Sequence, residues 1–204
     1  MAKTVLKESS GSVNVLSSRF ETLLLPLSGQ EEFEAIYKAF KKRFPKADHY
    51  PYAFIYEGAM KSSDDGEPSG AAGKGFLELL KNHDISRGCL ISARYFGGSK
   101  LGLPRLHRTF MASAEEALSK AILGQIILQE AFSVTLSYHD YEILKRSIAS
   151  LGGALSEERF EEKVTLKLSG DATILSSLSQ KGLTLEATPL GIEETIKETQ
   201  NDPK

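Results

Sequence analysis

The segment GCLISARYFGGSKLGLPRLHRTFMASAEEALSKA, residues 88–121, contains a strand, a glycine-rich loop and a helix in direct succession. Residues 88–96 are apolar at neighbouring as well as alternate positions, which is typical of a strand buried on both faces. Pro104 follows the loop 94–102 and suits the first turn of a helix, because proline has no N–H to leave unpaired. Apolar residues then recur at helical spacing from Leu106 onward, so the sequence predicts a long helix to the end of the segment.

A second glycine-rich loop, DDGEPSGAAGK at residues 64–74, also precedes a helical pattern. Glycines before a helix let the backbone turn tightly and leave N–H groups pointing outward, which favours binding of an anion. A Walker-type phosphate loop is excluded, because that motif needs Gly and Ser or Thr where Pro68 and Gly75 stand. Two interpretations stay open: a generic anion site with Lys74 beside the helix start, or a turn that serves packing alone.

The rest of the first half alternates strand-like and helical patterns. Strands are predicted near 3–8 and 18–26, and again over 50–57, which is aromatic and extended. Between them, apolar residues three and four positions apart predict one amphipathic helix that ends at Pro45. Together with the two loops, these elements predict a first α+β domain over residues 1–128.

A different pattern begins near residue 131, where strands with one apolar face alternate with helical stripes. The alternating segments are 132–137, 163–168 and 183–187. If residues 153–159 supply a hairpin partner, the order of elements is β-α-β-β-α-β, which is the ferredoxin-like split βαβ arrangement. We therefore expect a second domain over 129–192, followed by a frayed polar tail, 193–204.

Composition and charge place the chain among ordinary globular proteins. With 41% apolar residues, a formal net charge of −2 and no apolar run of the roughly 20 residues that a membrane helix needs, we expect a cytoplasmic protein. The charge is uneven: residues 1–128 carry 17 Lys and Arg against 14 Asp and Glu, and residues 129–204 carry 8 against 13. The single cysteine, Cys89, excludes an internal disulfide. These counts favour a localised basic face over a globally basic protein.

The two loops together carry a family resemblance. SDDGEPSG at 63–70 with Gly73-Lys74, followed by RYFGG at 94–98 and Lys100-Leu101-Gly102, resembles the IMPACT family in order and spacing. The chain departs from that family at 103–105, Leu-Pro-Arg, where a small residue and two glycines are usual. The resemblance implies an N-terminal domain of ribosomal protein S5 domain 2-like fold and a ferredoxin-like C-terminal domain.

The same resemblance implies a role in translation. Eukaryotic members regulate a kinase pathway that controls initiation, and the bacterial pair of folds is similar to the last two domains of elongation factor G. We therefore expect a non-enzymatic, translation-associated regulator that binds RNA or a ribosomal surface, with a translation-related protein as a further partner and no cofactor. The basic glycine-rich corner of loop and helix is the candidate contact surface. Its candidate residues are Gly70, Gly73, Lys74, Arg94, Gly97, Gly98, Lys100, Arg105 and Arg108.

Two alternatives remain open from the residues. Asp64, Asp65 and Glu67, with His49 upstream, could hold a divalent cation or act as acid and base, which would make the protein a metal-dependent hydrolase or a nucleotide-processing enzyme. The same carboxylates also suit a turn whose charge is neutralised by the basic residues of the second loop. In the other alternative the protein is an adaptor whose acidic second domain docks a basic protein.

Overall fold

The computed structural model describes residues 2–199, along which helices and strands alternate. A mixed α/β structure is confirmed. The strands are β1 (Lys3–Lys7), β2 (Ser9–Val15), β3 (Ser18–Leu25), β4 (Tyr52–Tyr56), β5 (Ala59–Ser63), β6 (Ile85–Tyr95), β7 (Ile122–Leu136), β8 (Ala154–Phe160), β9 (Val164–Gly170) and β10 (Leu185–Thr199). The helices are α1 (Phe33–Arg43), α2 (Gly73–Asn82), α3 (Leu103–Ser119), α4 (Tyr138–Ser147) and α5 (Ile174–Gln180). Over the described range, no helix is both long and apolar enough to cross a membrane.

Contacts within the chain divide it into two units, 2–126 with 197–199 and 127–196. In the first unit, β6 is the central strand: it pairs antiparallel with β3 and β4 and parallel with β1. Successive residues of β6 enter different cores, because side chains alternate across a strand. Leu90 belongs to a core that also contains Phe76 of α2 and Phe110 of α3, whereas Ile91 belongs to one that contains Phe33 of α1. Burial of β6 on both faces is therefore confirmed.

Strand β2 is an element that the sequence does not predict. Its Ser-Ser-Gly-Ser start has low β propensity, yet all seven residues pair with β3 from Ser9–Leu24 to Val15–Ser18. Gly11 allows β2 to form at this place, because a Cβ on residue 11 would lie 2.0 Å from the carbonyl oxygen of Ser113 on α3. The absence of a side chain thus lets β2 lie directly against the helix.

The second unit contains the C-terminal part of β7, then α4, β8, β9, α5 and most of β10, so its order of elements is β-α-β-β-α-β. The strands lie side by side in the order β10-β7-β9-β8, and β9 is antiparallel to both of its neighbours. Val134, Leu166 and Leu144 are fully buried in its core. Helix α4 begins at a capped position, since the Ser137 hydroxyl accepts a hydrogen bond from the backbone N–H of Asp140.

The expected polar tail is corrected over residues 193–199, which form the end of β10. This strand pairs with β7, and the Thr199 hydroxyl donates to the carbonyl oxygen of Leu123 at 2.9 Å. An exposed edge strand needs few apolar residues, because hydrogen bonds to the neighbouring strand order its backbone. The polar composition of residues 193–199 therefore does not exclude a strand. Residues 200–204 lie outside the described residues.

We predict that the only cysteine does not react in the folded protein. Burial raises the pKa of the Cys89 thiol to about 12, so almost no thiolate is present at pH 8. Reaction with Ellman's reagent should be at least about a hundredfold slower in buffer than in 6 M guanidinium chloride. Equal rates in the two solvents would contradict the burial of β6.

Candidate nucleic-acid interface

The two glycine-rich loops meet at a cleft of about 400 Å³ in the first unit. Glu67 and Pro68 of the first loop line one part, and residues 100–103 of the second loop, with Leu106 of α3, line another. The remaining wall is formed by Asp48, His49, Arg94 and Phe96. The two loops therefore converge in space, although about 30 residues separate them in the sequence.

A buried ion pair joins the loops. Nη1 of Arg94 donates to both carboxylate oxygens of Glu67 at 2.6 Å, and the two side chains are only 8% and 1% exposed. The backbone of Arg94 also pairs with the segment before β4: its N–H donates to the carbonyl oxygen of His49, and its own carbonyl oxygen accepts from the N–H of Asp48. Arg94 is thus a structural residue whose charge is neutralised inside the protein, which corrects its assignment as an exposed contact for phosphate.

The start of α2 is not open to an external anion, because Asp64 already occupies it. One carboxylate oxygen of Asp64 accepts from the backbone N–H groups of Ala72 and Gly73 at 2.8 and 2.9 Å, and the other accepts from that of Gly70 at 2.9 Å. This is the arrangement that a bound anion would have at a helix N-terminus, supplied here by the chain itself. The expectation that Gly70 and Gly73 offer free amides is therefore corrected.

Lys74 lies beside this helix start but outside the cleft lining. Its side chain is 80% exposed, and Nζ lies 3.8 Å from the carboxylate of Glu78 one turn later. Gly73 is buried, and a Cβ on it would lie 2.8 Å from the backbone of Ser63. The first loop is therefore a packing turn, which is one of the two interpretations left open by the sequence.

The carboxylates of the first loop point to separate partners. Asp65 accepts from the backbone N–H of Tyr50 at 2.7 Å, while its carbonyl oxygen lies 2.8 Å from Nδ1 of His49. A carbonyl oxygen can only accept, so Nδ1 of His49 carries a proton, and in the neutral imidazole Nε2 is then an acceptor. Among residues 2–199, no group of three or more His, Cys, Asp or Glu side chains is arranged to hold a metal ion. Of the four residues proposed for catalysis, His49 and Glu67 line the cleft, whereas the carboxylates of Asp64 and Asp65 accept from backbone N–H groups.

The second loop is held against the β2–β3 turn. The N–H of Gly97 donates to the Ser18 hydroxyl at 3.0 Å, and a Cβ on Gly97 would lie 2.2 Å from the backbone of Ser17, so glycine is required there. Gly98 is exposed with φ +86°, a conformation that glycine adopts without strain. The N–H of Phe96 donates to the carboxylate of Asp48 at 2.7 Å. These contacts fix the loop while leaving the ring of Phe96 45% exposed at the cleft.

The exposed cations lie after the glycines. Lys100, Arg105 and Arg108 are exposed, and within the described part of the chain none of them forms a salt bridge. Helix α3 starts after Gly102, at φ +71°, without a side-chain cap. Pro104 has no N–H and the N–H of Leu106 donates to the carbonyl oxygen of Gly102, so the first turn of α3 offers at most the N–H groups of Leu103 and Arg105. Phe96 and Asp48 complete the site, and neither is among the candidate residues that the sequence predicts.

Comparison with known proteins assigns the family. The family model described as the Impact N-terminal domain matches residues 16–118, which include both loops, β6 and nearly all of α3. The chain belongs to the IMPACT family. IMPACT family member YigZ of Escherichia coli is 24% identical over 172 residues, covering 82% of this chain and 84% of the relative. Member YvyE of Bacillus subtilis is 34% identical over 119 residues, covering 57% of this chain and 55% of that relative.

A solved structure supports the fold along most of the chain. A crystal structure of a hypothetical protein aligns with a TM-score of 0.61 and 22% sequence identity, covering 92% of this chain and 97% of the other. At this identity the likeness concerns the fold alone. The chain spans about half the length of YvyE, the relative with the higher identity of the two above, and most of the length of YigZ.

We predict that Asp64→Ala lowers the free energy of unfolding by about 2 kcal/mol, because three backbone N–H groups lose a charged acceptor. Urea denaturation followed by circular dichroism measures the change. Glu78→Ala is the matched control, since its carboxylate is exposed and forms a surface ion pair with Lys74; we expect a change of less than about 0.5 kcal/mol in the free energy of unfolding. Equal effects of the two substitutions would contradict the capping role of Asp64.

We also predict strong coupling between Glu67 and Arg94. Glu67→Gln and Arg94→Met should each cost about 3 kcal/mol, because each leaves one buried charge without its partner. The double variant should cost clearly less than the sum, since it buries no isolated charge. A double-mutant cycle from urea denaturation measures the coupling, and additive effects would show that the two side chains stabilise the fold independently of each other.

Proposed function

We propose that this protein is a non-enzymatic regulator associated with translation that binds RNA, free or on the ribosomal surface, through residues 96–108. Membership of the IMPACT family supports a translation-associated regulatory role at the level of the family. The observation that carries the proposal is the set of exposed cations beside the cleft, Lys100, Arg105 and Arg108, none of which has an ionic partner among residues 2–199. Cations without internal partners are available to neutralise phosphate.

The arrangement of these cations suits a flexible polyanion. Arg105 and Arg108 are three positions apart on α3, so they lie on neighbouring parts of one helix surface. Lys100 lies five positions before Arg105, on the other side of Gly102. The three charges therefore follow one another along the corner, as the phosphates of a single strand do.

Neighbouring groups support this assignment. The start of α3 favours negative charge because its first N–H groups lack a side-chain cap. Arg94 is not available to bind a phosphate, because its guanidinium is paired with the carboxylate of Glu67. The contact set that we propose is narrower than the sequence predicts. Gly70, Gly73 and Arg94 are excluded because Asp64 and Glu67 satisfy them, and Lys74 because Glu78 lies 3.8 Å from its Nζ. Gly97 and Gly98 shape the loop.

We further propose specific folds for the two parts of the chain. The ferredoxin-like fold for 129–192 is supported by the β-α-β-β-α-β order and the strand order β10-β7-β9-β8. The S5 domain 2-like fold for 1–128 rests on the resemblance to the IMPACT family. A pair of folds similar to the last two domains of elongation factor G is compatible with a site of action on the ribosome.

The test is the salt dependence of RNA binding. Each phosphate neutralised on a single strand contributes about 0.7 to the slope of log K against log salt. Replacing Lys100, Arg105 and Arg108 with alanine should therefore weaken binding and reduce this slope by about 2. Fluorescence anisotropy with a labelled single-stranded RNA between 50 and 200 mM salt measures both quantities.

The matched control replaces Lys38, Lys42 and Lys81 with alanine. These lysines are also exposed and belong to the first unit, but none of them lines the cleft. The control removes the same net charge, so an equal loss of slope in both triple variants would show that binding is not localised at the corner. An unchanged slope after substitution of Lys100, Arg105 and Arg108 would refute the proposed site.

A further inference from the structure

We propose that the cleft between the two loops holds one unstacked nucleotide of a single-stranded RNA, with its base against Phe96 and its phosphate at Lys100 and the start of α3. This inference rests on the proposed function, because it specifies which part of the RNA the site recognises. Binding of a nucleotide requires more than a basic surface. The cleft must also have the size, the apolar walls and the polar groups that fit a nucleobase.

The size and walls of the cleft fit a base. Its volume of about 400 Å³ lies in the range of small-ligand sites. Leu101, Leu103 and Leu106 line it together with Phe96. Phe96 and Leu103 are 45% and 44% exposed on the same cleft, and Cζ of Arg94 lies 5.5 Å from the centroid of the Phe96 ring. A flat aromatic ligand would cover both, and a nucleobase stacks favourably on a phenylalanine ring.

The polar groups of the cleft suit the edge of a base. Nε2 of His49 is an acceptor, because Nδ1 faces the carbonyl oxygen of Asp65. Asp48 contributes a further carboxylate acceptor. Acceptors of this kind suit the N–H donors that the edge of a base presents.

Charge decides the orientation of the nucleotide. Asp48 places a carboxylate on the cleft lining, whereas Glu67 and Arg94 neutralise each other there, so the inner wall disfavours a phosphate. Lys100 and the uncapped first turn of α3 favour the phosphate at the rim. The N-terminus of α2 does not compete for it, because Asp64 fills that position. The base therefore enters the cleft and the backbone follows Lys100, Arg105 and Arg108 along its edge.

The test compares RNAs of equal length with the full-length protein. A labelled single strand should bind at least tenfold more tightly than the corresponding perfect duplex, whose bases are stacked and paired, and than an abasic strand with the same phosphates. Phe96→Ala should weaken single-strand binding about tenfold without changing duplex affinity or the salt slope. Phe96→Tyr should restore it, because the ring is kept. Phe160→Ala, which removes another half-exposed ring, is the matched control and should change nothing.

The outcomes separate this inference from the function on which it rests. Equal affinities for single strand, duplex and abasic strand, or an unchanged preference in Phe96→Ala, overturn the nucleotide cleft even when the salt slope still depends on the three cations. No binding of any of these RNAs, or a slope independent of the three cations, refutes the proposed function and this inference with it. Thermal unfolding of Phe96→Ala within about 3 °C of the parent shows that the protein remains folded.

Discussion

The ion pair between Glu67 and Arg94 determines the geometry of the cleft. Removing both charges from water is costly, and two short hydrogen bonds between the side chains compensate for that cost. The backbone of Arg94 also pairs with Asp48 and His49. Arg94 therefore contacts two other walls of the cleft, the first loop and the segment before β4, which are distant from it in sequence. A shift of this side chain would move the first loop, the segment before β4 and the end of β6 at the same time.

The two helix starts beside the cleft show how one local motif acquires opposite roles. Both α2 and α3 follow glycines, but Asp64 binds the first N–H groups of α2, whereas α3 has no side-chain cap. A carboxylate held nine residues away acts at a high effective concentration, so a free phosphate cannot compete with it easily. The start of α2 is therefore occupied by the carboxylate of Asp64, whereas the start of α3 has no such carboxylate and lies at the cleft.

Local features of the sequence predicted most of the elements, and long-range contacts explain what was missed. Helix α3 and the doubly buried β6 follow from periodicity, because each depends on its own residues. Strand β2 was missed, since its formation depends on pairing with β3 and on the close approach of Gly11 to α3. The different roles of Arg94 and Lys100 were missed for the same reason: both are basic residues of one loop, and only tertiary burial separates them.

The weak net charge of the chain limits how it can attract RNA. At −2 the protein has no long-range field that favours a polyanion, and charges separated by more than about 8 Å are largely screened at physiological salt. Affinity must then come from contacts made at short range, and three cations supply only three phosphate contacts. Stacking of one base contributes about 1–3 kcal/mol, which is little affected by salt. An exposed ring next to a local row of cations therefore favours a flexible single strand over a rigid duplex, because only the single strand can use both contributions at once.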